Sequence, residues 1–295
     1  MLINRTLLMS DAKNFGSSQA INPHYFDPES NQDLAQSEHE AIKNAFEAAG
    51  ITVIQVASPT DSQDGVYTAN WALVKGDTAI LSRLPNVRKA EEAYAREILT
   101  GLGKTVINAP GTYRFSGQGD ALACGDYLFC GSGYRSDVEA QQFAADQLGY
   151  TRIQLHTIPE LDANDTPTTN AISGWADSYF YDIDLALSIL RAPSDKNPGL
   201  IAYCPEAFDQ ESRRTLENIE SLTDGAIEAI TIDYDETISA FAANLVSTGE
   251  SIIMGSRAPK FSQKLKDNGF TIISPEINEL LKGGGYIRCT SLALD

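Results

Sequence analysis

Apolar residues recur at the i, i+3, i+4 spacing of an amphipathic helix over 35–49, 89–102, 137–148, 209–222, 235–247 and 259–267. Four of these segments run into Gly50, Gly103, Gly149 or Gly269, as helices closed by a glycine C-cap do. Between them lie short apolar runs, TVIQV (52–56), AILS (79–82), YLFC (127–130), LIAY (200–203) and SIIM (251–254), which read as strands. The helix-then-strand order returns roughly every 50 residues, and so short a unit cannot bury its apolar face alone. The units are therefore expected to pack around a common centre as one α/β domain over 1–295, with a doubly wound sheet open on element order alone. The polar, proline-containing stretch 157–182 has no period and predicts a mobile or site-covering loop.

Composition narrows the partners. The 295 residues are 42% hydrophobic, enough for a sizeable core, and 22 Lys plus Arg against 40 Asp plus Glu leave a net charge of -18. Such a surface repels phosphate backbones and anionic lipid, so neither nucleic acid nor membrane is an expected partner. The start lacks a basic segment with an apolar core, and no apolar run approaches membrane-spanning length, which predicts a cytoplasmic protein. Cys124, Cys130, Cys204 and Cys289 form no CxxC pair and have no histidine at zinc spacing, so they are expected as reduced thiols without structural metal.

Chemistry concentrates in four places. GGGYIRCTSLAL (283–294) carries Cys289 on an expected strand behind three glycines, which permit close approach of a ligand or of backbone. A lone strand cysteine is otherwise a small core hydrophobe, the reading given to Cys124, Cys130 and Cys204. In FSGQGDA (115–121) glycines flank Asp120 and aim it into a cavity, whereas the motif lacks the full spacing of a phosphate loop. QDGVYTANW (63–71) places Asp64 before a strand, where an Asx turn is the structural alternative. In YFYDIDLALSIL (179–190) Asp182 and Asp184 share a face if extended, suited to acid/base work, cation binding or ion pairing. Arg83, Arg88 and Arg135 are candidates to hold a substrate carboxylate.

In this order the clusters resemble the motifs of the pentein superfamily of arginine deiminases, dimethylargininases and amidinotransferases. Asp64 with Asn70 and Trp71 resembles its first Asp loop, and FSGQGDA its Phe-Glu-Gly-Gly-Asp segment. GSGYRSD (131–137) is similar to its Arg-bearing turn, YDIDLA (181–186) to its His-Leu-Asp-Thr-Ala segment, FAANLV (241–246) to the segment before the last strand pair, and GGGYIRCTSL to the closing cysteine motif. The resemblance implies a fivefold pseudosymmetric α/β-propeller with a central pocket. It also implies attack by Cys289 on a guanidinium carbon through a thiouronium-type intermediate. Asp64 and Asp120 would bind the guanidinium, with Arg88 or Arg135 on a far carboxylate and no cofactor.

Two positions depart from the motif: Asp182 stands where the catalytic His is expected, and Ser116 where the Glu is. The expected site is thus Cys289, Asp182 and Asp120 for catalysis, and Asp64, Asn70, Arg88, Arg135, Ser116 and Asp184 for substrate. Burial or a like-charged neighbour would have to raise Asp182 before it could serve as an acid at neutral pH. Among the histidines, His39 is expected on an exposed helix face and His24 in a loop, leaving His156 as the candidate substitute. The leading reading is a thiol-dependent hydrolase or transferase acting on a guanidino or amino-acid small molecule, with a homodimer as candidate assembly. The alternative is a propeller that binds a small cationic amino acid without turnover or acts on a non-guanidine substrate.

Overall fold

The computed structural model describes residues 2–295. Strand β1 (Thr6–Ser10), helix α1 (Gln32–Ala48) and β2 (Thr52–Val56) come first, followed by β3 (Ala72–Lys75), β4 (Thr78–Leu81), α2 (Lys89–Gly101) and β5 (Thr105–Asn108). A further round gives β6 (Ala121–Cys124), β7 (Tyr127–Ser132), α3 (Val138–Leu148) and β8 (Thr151–His156). The next comprises β9 (Leu187–Arg191), β10 (Gly199–Tyr203), α4 (Gln210–Glu217), α5 (Ile219–Leu222) and β11 (Ile227–Thr231). The last elements are α6 (Tyr234–Ala240), β12 (Val246–Ser247), β13 (Ser251–Ile253), α7 (Pro259–Asp267), β14 (Thr271–Ile273) and β15 (Leu292–Ala293).

These strands form five three-stranded sheets, β3-β4-β5, β6-β7-β8, β9-β10-β11, β12-β13-β14 and β15-β1-β2. In each, the middle strand pairs antiparallel with the strand before it in the ring and parallel with the strand that follows its helix. The parallel step needs a crossover long enough for a helix, which accounts for the helix-strand repeat. Four of the five apolar runs read from sequence are middle strands, flanked on both edges and apolar throughout. The outer strands that follow the helices, such as Thr52–Val56, mix exposed and half-buried residues.

The sheets close into a ring through hydrogen bonds at every junction. Arg83 and Phe115 bridge the first sheet to the second, and Ile183 N donates to Asp120 Oδ1 at 3.0 Å between the second and third. Ser247 Oγ donates to Leu190 O, Ile3 N to Thr248 O, and Ala69 N to Cys289 O, completing the circuit. The fivefold α/β-propeller is the observed fold, and the doubly wound alternative is not.

Helix ends follow the sequence with two exceptions, one of them the pattern over 209–222, which is split at Asn218 into α4 and α5. The pattern over 235–247 spans two elements: α6 stops at Ala240, Phe241 takes the left-handed conformation at φ 52°, and the chain enters β12. Three apolar residues in FAANLV mimicked helical spacing because they face the core from a turn and a strand. The stretch 157–182 is irregular but tied down, with bridges Leu161–Pro167 and Thr169–Ala176 and a bond from Asn170 Nδ2 to Ala20 O.

Gly149 caps α3 at φ 65° with no atom near the position of a Cβ, so its role is conformational only. Gly149→Ala is expected to lower unfolding free energy by about 1 kcal/mol, read as a shift in the urea midpoint at unchanged slope.

Candidate active site

Each sheet's first strand in the ring follows a tight turn near the ring's axis, and these turns carry most of the polar groups at the centre. A 3-10 turn, Thr68–Trp71, precedes β3; another, Gly117–Gly119, precedes β6; a third, Ile183–Leu185, precedes β9. Turn residues around Asn244 precede β12, and those around Cys289 precede β15. Asp182 and Asp184 are therefore carried by a turn rather than by an extended segment, and Cys289, expected on a strand, sits in a turn three residues ahead of it.

Asn244 fixes the cysteine turn. Its Oδ1 accepts from Arg288 N at 2.9 Å and Cys289 N at 3.2 Å, and its Nδ2 lies 3.1 Å from Cys289 Sγ and 3.3 Å from Asp184 O. Sequence reading singled out the FAANLV segment without choosing its asparagine. The signal was the one polar residue in an apolar segment, buried at 0% exposure. The glycines ahead of the turn serve approach of aromatic side chains: a Cβ at Gly283 or Gly285 would lie 2.2 and 2.4 Å from Tyr67 atoms. Glu38 on α1 anchors the start of this segment by accepting the backbone N–H groups of Asn278, Glu279 and Leu280.

Four buried aspartates surround the thiol, each using one oxygen and leaving the other without a partner. Asp184 Oδ2 lies 3.5 Å from Cys289 Sγ. Asp182 Oδ2 accepts from Asn70 Nδ2 at 2.7 Å, and the same amide donates to Ser116 Oγ at 2.9 Å. Asp120 Oδ1 is taken by Ile183 N, and Asp64 Oδ1 by the Tyr25 hydroxyl. Asp64 Oδ2, Asp120 Oδ2, Asp182 Oδ1 and Asp184 Oδ1 have no partner. Two glycines make room for them: a Cβ on Gly119 would sit 2.7 Å from Asp182 Oδ2, and one on Gly131 2.9 Å from Asp120 Oδ1.

The arginines divide. Arg88 is buried in the wall, bidentate to Glu91 at 2.7 and 2.8 Å and bonded to Asn70 Oδ1 at 2.9 Å, with Glu91 also accepting from Trp71 Nε1. It braces the Asp64–Trp71 loop. Arg135 lies over the Tyr181 ring at 4.5 Å and donates to Ile21 O at 2.8 Å. Arg83 lines a separate surface groove with Glu92, Arg96 and Asn108, so it is not brought to the centre.

The histidines differ from expectation as well. His39 is fully buried on α1 rather than exposed, and His156 is exposed at the end of β8, bonded to Ser132 Oγ at 3.1 Å. His24 is the one that nears the centre: it bonds Tyr179 O at 2.7 Å and packs on Tyr179, Tyr181 and Phe241. This cluster joins the 157–182 stretch to the N-terminal loop above the aspartates.

Crowding of like groups away from water sets the electrostatics. Burial, then Asp182, holds Asp120 well above the usual carboxylate range, and burial with Asp182 does the same to Asp184. Burial also raises Asp182, against the pull of Arg135 and the bonds from Ser116 and Asn70, and lifts Asp64 to about 6. The Cys289 thiol is pushed well above its ordinary value by burial and by Asp184. Among the described residues no His, Cys, Asp and Glu group is arranged to hold a metal ion. A cavity of about 640 Å³ lies elsewhere: it includes Asp184 but neither Cys289 nor the other three aspartates. The chemistry follows the buried polar groups.

Comparison with known proteins bears on this arrangement. Residues 12–170 match the family model described as N,N dimethylarginine dimethylhydrolase, eukaryotic. The chain is 28% identical to the N(G),N(G)-dimethylarginine dimethylaminohydrolase of Mycobacterium tuberculosis over 98% of this chain and 86% of that one. It is 31% identical to the bifunctional arginine dihydrolase/ornithine cyclodeaminase AgrE of Nostoc over 78% of this chain, and the match spans 29% of that protein's length. The product-bound N-terminal domain of the cyanobacterial arginine dihydrolase ArgZ superposes with a TM-score of 0.83 at 26% identity, covering 98% and 97% of the two chains.

Two measurements check the electrostatics. The midpoint of Cys289 alkylation by iodoacetamide against pH is expected above the ~8.5 of a free thiol, and millimolar guanidinium is expected to move it down by supplying a cation. A carboxyl raised in the folded state stabilises the fold below its unfolded value near ~4 and loses that contribution as pH rises through the folded value, about 6 for Asp64. Asp120→Asn, which keeps the oxygen that Ile183 uses, is therefore expected to stabilise the ligand-free protein at pH 7.5 by roughly 1–3 kcal/mol in urea.

Proposed function

The chain belongs to the N,N-dimethylarginine dimethylhydrolase family within the pentein superfamily, and on that premise we propose that it is a cysteine-dependent hydrolase of a guanidino C–N bond, with arginine or a methylated arginine as substrate. The observation that carries this reading is the set of four unpartnered carboxylate oxygens beside one buried thiol. A guanidinium is a planar cation with five N–H donors, and it supplies both the hydrogen bonds and the positive charge that this set lacks.

Binding of the cation to Asp64, Asp120 and Asp184 lowers the cost of negative charge at the centre, which favours the carboxylates and the thiolate together. Cys289 Sγ then attacks the guanidinium carbon, forming a C–S bond while its proton passes to Asp184 Oδ2, 3.5 Å away. Collapse of the tetrahedral centre breaks a C–N bond. The electron pair leaves with the amine, which takes its proton from Asp182, held above the usual range for that purpose. A thiouronium-type group remains on Cys289. Water, deprotonated by Asp182, attacks its carbon, the C–S bond breaks with its electron pair on sulfur, the sulfur takes back the proton held on Asp184, and the carbinol proton passes to the released amine, leaving the thiol, an ammonium and a ureido product.

In this scheme Asp182, Ser116 and Asn70 do the work of the motif's His and Glu. The bond from Asn70 to both partners keeps the Asp182 carboxyl oriented after each proton transfer. Arg135, beside the Tyr181 ring, takes the substrate's carboxylate, and Arg88 acts through Asn70 and the Asp64 loop. The reading calls on no group beyond the chain's own side chains. It places the enzyme in the cytoplasm with a small cationic amino acid as its partner; among the described residues no helix is long and apolar enough to cross a membrane.

Incubation with arginine, methylated arginines, agmatine and guanidino acids is expected to yield a ureido product and a free amine, followed by mass spectrometry. Cys289→Ala should abolish turnover, and product formation in that variant would sink the reading. Asp182→Asn should lower kcat by about 10²–10⁴-fold and accumulate the covalent adduct, because both proton transfers use the same carboxyl.

A further inference from the structure

The 640 Å³ cavity opens on Leu2–Arg5 and is walled by Leu73, Val74, Leu187 and Leu245, with Arg288 inside it. Arg288 is a buried cation, 8% exposed, without a carboxylate partner within 4 Å among the described residues. It is nonetheless held in one orientation. NH2 donates to Gln118 Oε1 at 2.8 Å and NH1 to Ser291 O at 3.1 Å, while Gln118 is itself clamped by Ala293 N and Ala293 O, both at 2.9 Å. The buried hydroxyl of Ser188, which lines the same cavity, has no partner.

An uncompensated buried cation is costly, and the usual remedies are a shifted equilibrium or a counter-ion. Desolvation does pull Arg288 below its ordinary value, yet a guanidinium stays charged at neutral pH. The one acid near enough to oppose it, Asp184, is held toward its neutral form by its own neighbours. Rim residues do not help, since Arg5 is paired with Asp295 at 3.3 Å.

We propose that this cavity, which borders Asp184 without including Cys289, is a second ligand site that takes a small carboxylic acid with an aliphatic or aryl body through Arg288. The volume lies in the range of small-molecule pockets, the fixed Arg288 cation matches a carboxylate, and the aliphatic walls suit an apolar body; of the acids on the lining, Asp295 is paired with Arg5 and Asp184 is held toward its neutral form. A cationic or neutral molecule of the same shape gains the walls but leaves Arg288 unpaired.

Isothermal titration of the full chain with hexanoate and 3-phenylpropanoate tests this, with hexylamine as the shape control. Saturable binding of both acids and at least tenfold weaker binding of the amine are expected. Arg288→Gln should weaken the acids at least tenfold. Should that variant fail to fold, Ala123→Phe, at an exposed position on the cavity wall, should give the same loss at an unchanged melting temperature. Asp120→Asn should bind hexanoate as the wild type does, so the site's failure and the failure of the guanidino reading are separable. Equal affinity for acid and amine, no saturable binding of either acid, or undiminished binding in Ala123→Phe would each overturn the proposal.

Discussion

Four carboxyl groups and a thiol are packed out of reach of water around the axis of the ring, and half of the carboxylate oxygens face no donor. No ordinary core tolerates this arrangement, because each group raises the cost of ionising its neighbours. The protein tolerates it by distributing the groups over four turns, Asp182 and Asp184 sharing one, each anchored by its own sheet and its own backbone hydrogen bonds. The ring is the device that makes such crowding affordable: one large apolar core and three smaller ones outside hold the turns inside. The repulsion left over is the binding energy available to a cation, and a stable ligand-free centre would have been a poor one for recognition.

The wall behind the aspartates shows the same economy in polar groups. Arg88 and Glu91 satisfy one another and, through Asn70 and Trp71, hold the first turn in register. Asn244 performs the corresponding task for the cysteine turn with a single amide that both donates and accepts. These residues are as buried as the aspartates but fully partnered, and the contrast between partnered and unpartnered groups separates frame from working surface.

Much of this was legible in the chain. Middle strands are apolar on both faces, so runs such as LIAY (200–203) stood out, and glycine caps marked the helices they close. Two-residue strands such as Val246–Ser247 and Leu292–Ala293 carry no period at all, and FAANLV therefore read as helix. The aspartates were found because glycines and a second carboxylate flank them. Whether a residue is spent inside the protein is a tertiary fact: nothing local distinguishes Arg88, bonded to Glu91, from Arg135, stacked on Tyr181. His39 misled for the same reason, since a helix face is called exposed from its polar neighbours, and here α1 turns that histidine inward.

The sheet β15-β1-β2 joins segments from opposite ends of the described chain, with Leu7 beside Ala293 and Leu8 beside Leu292. Closing so long a loop is entropically slow, and it is the step that seats the cysteine turn, three residues upstream of β15. During folding the helices and the other four sheets can assemble while Cys289 is still far from every aspartate. The constellation therefore requires that closure, and a molecule in which the ring is not closed is chemically silent rather than half active.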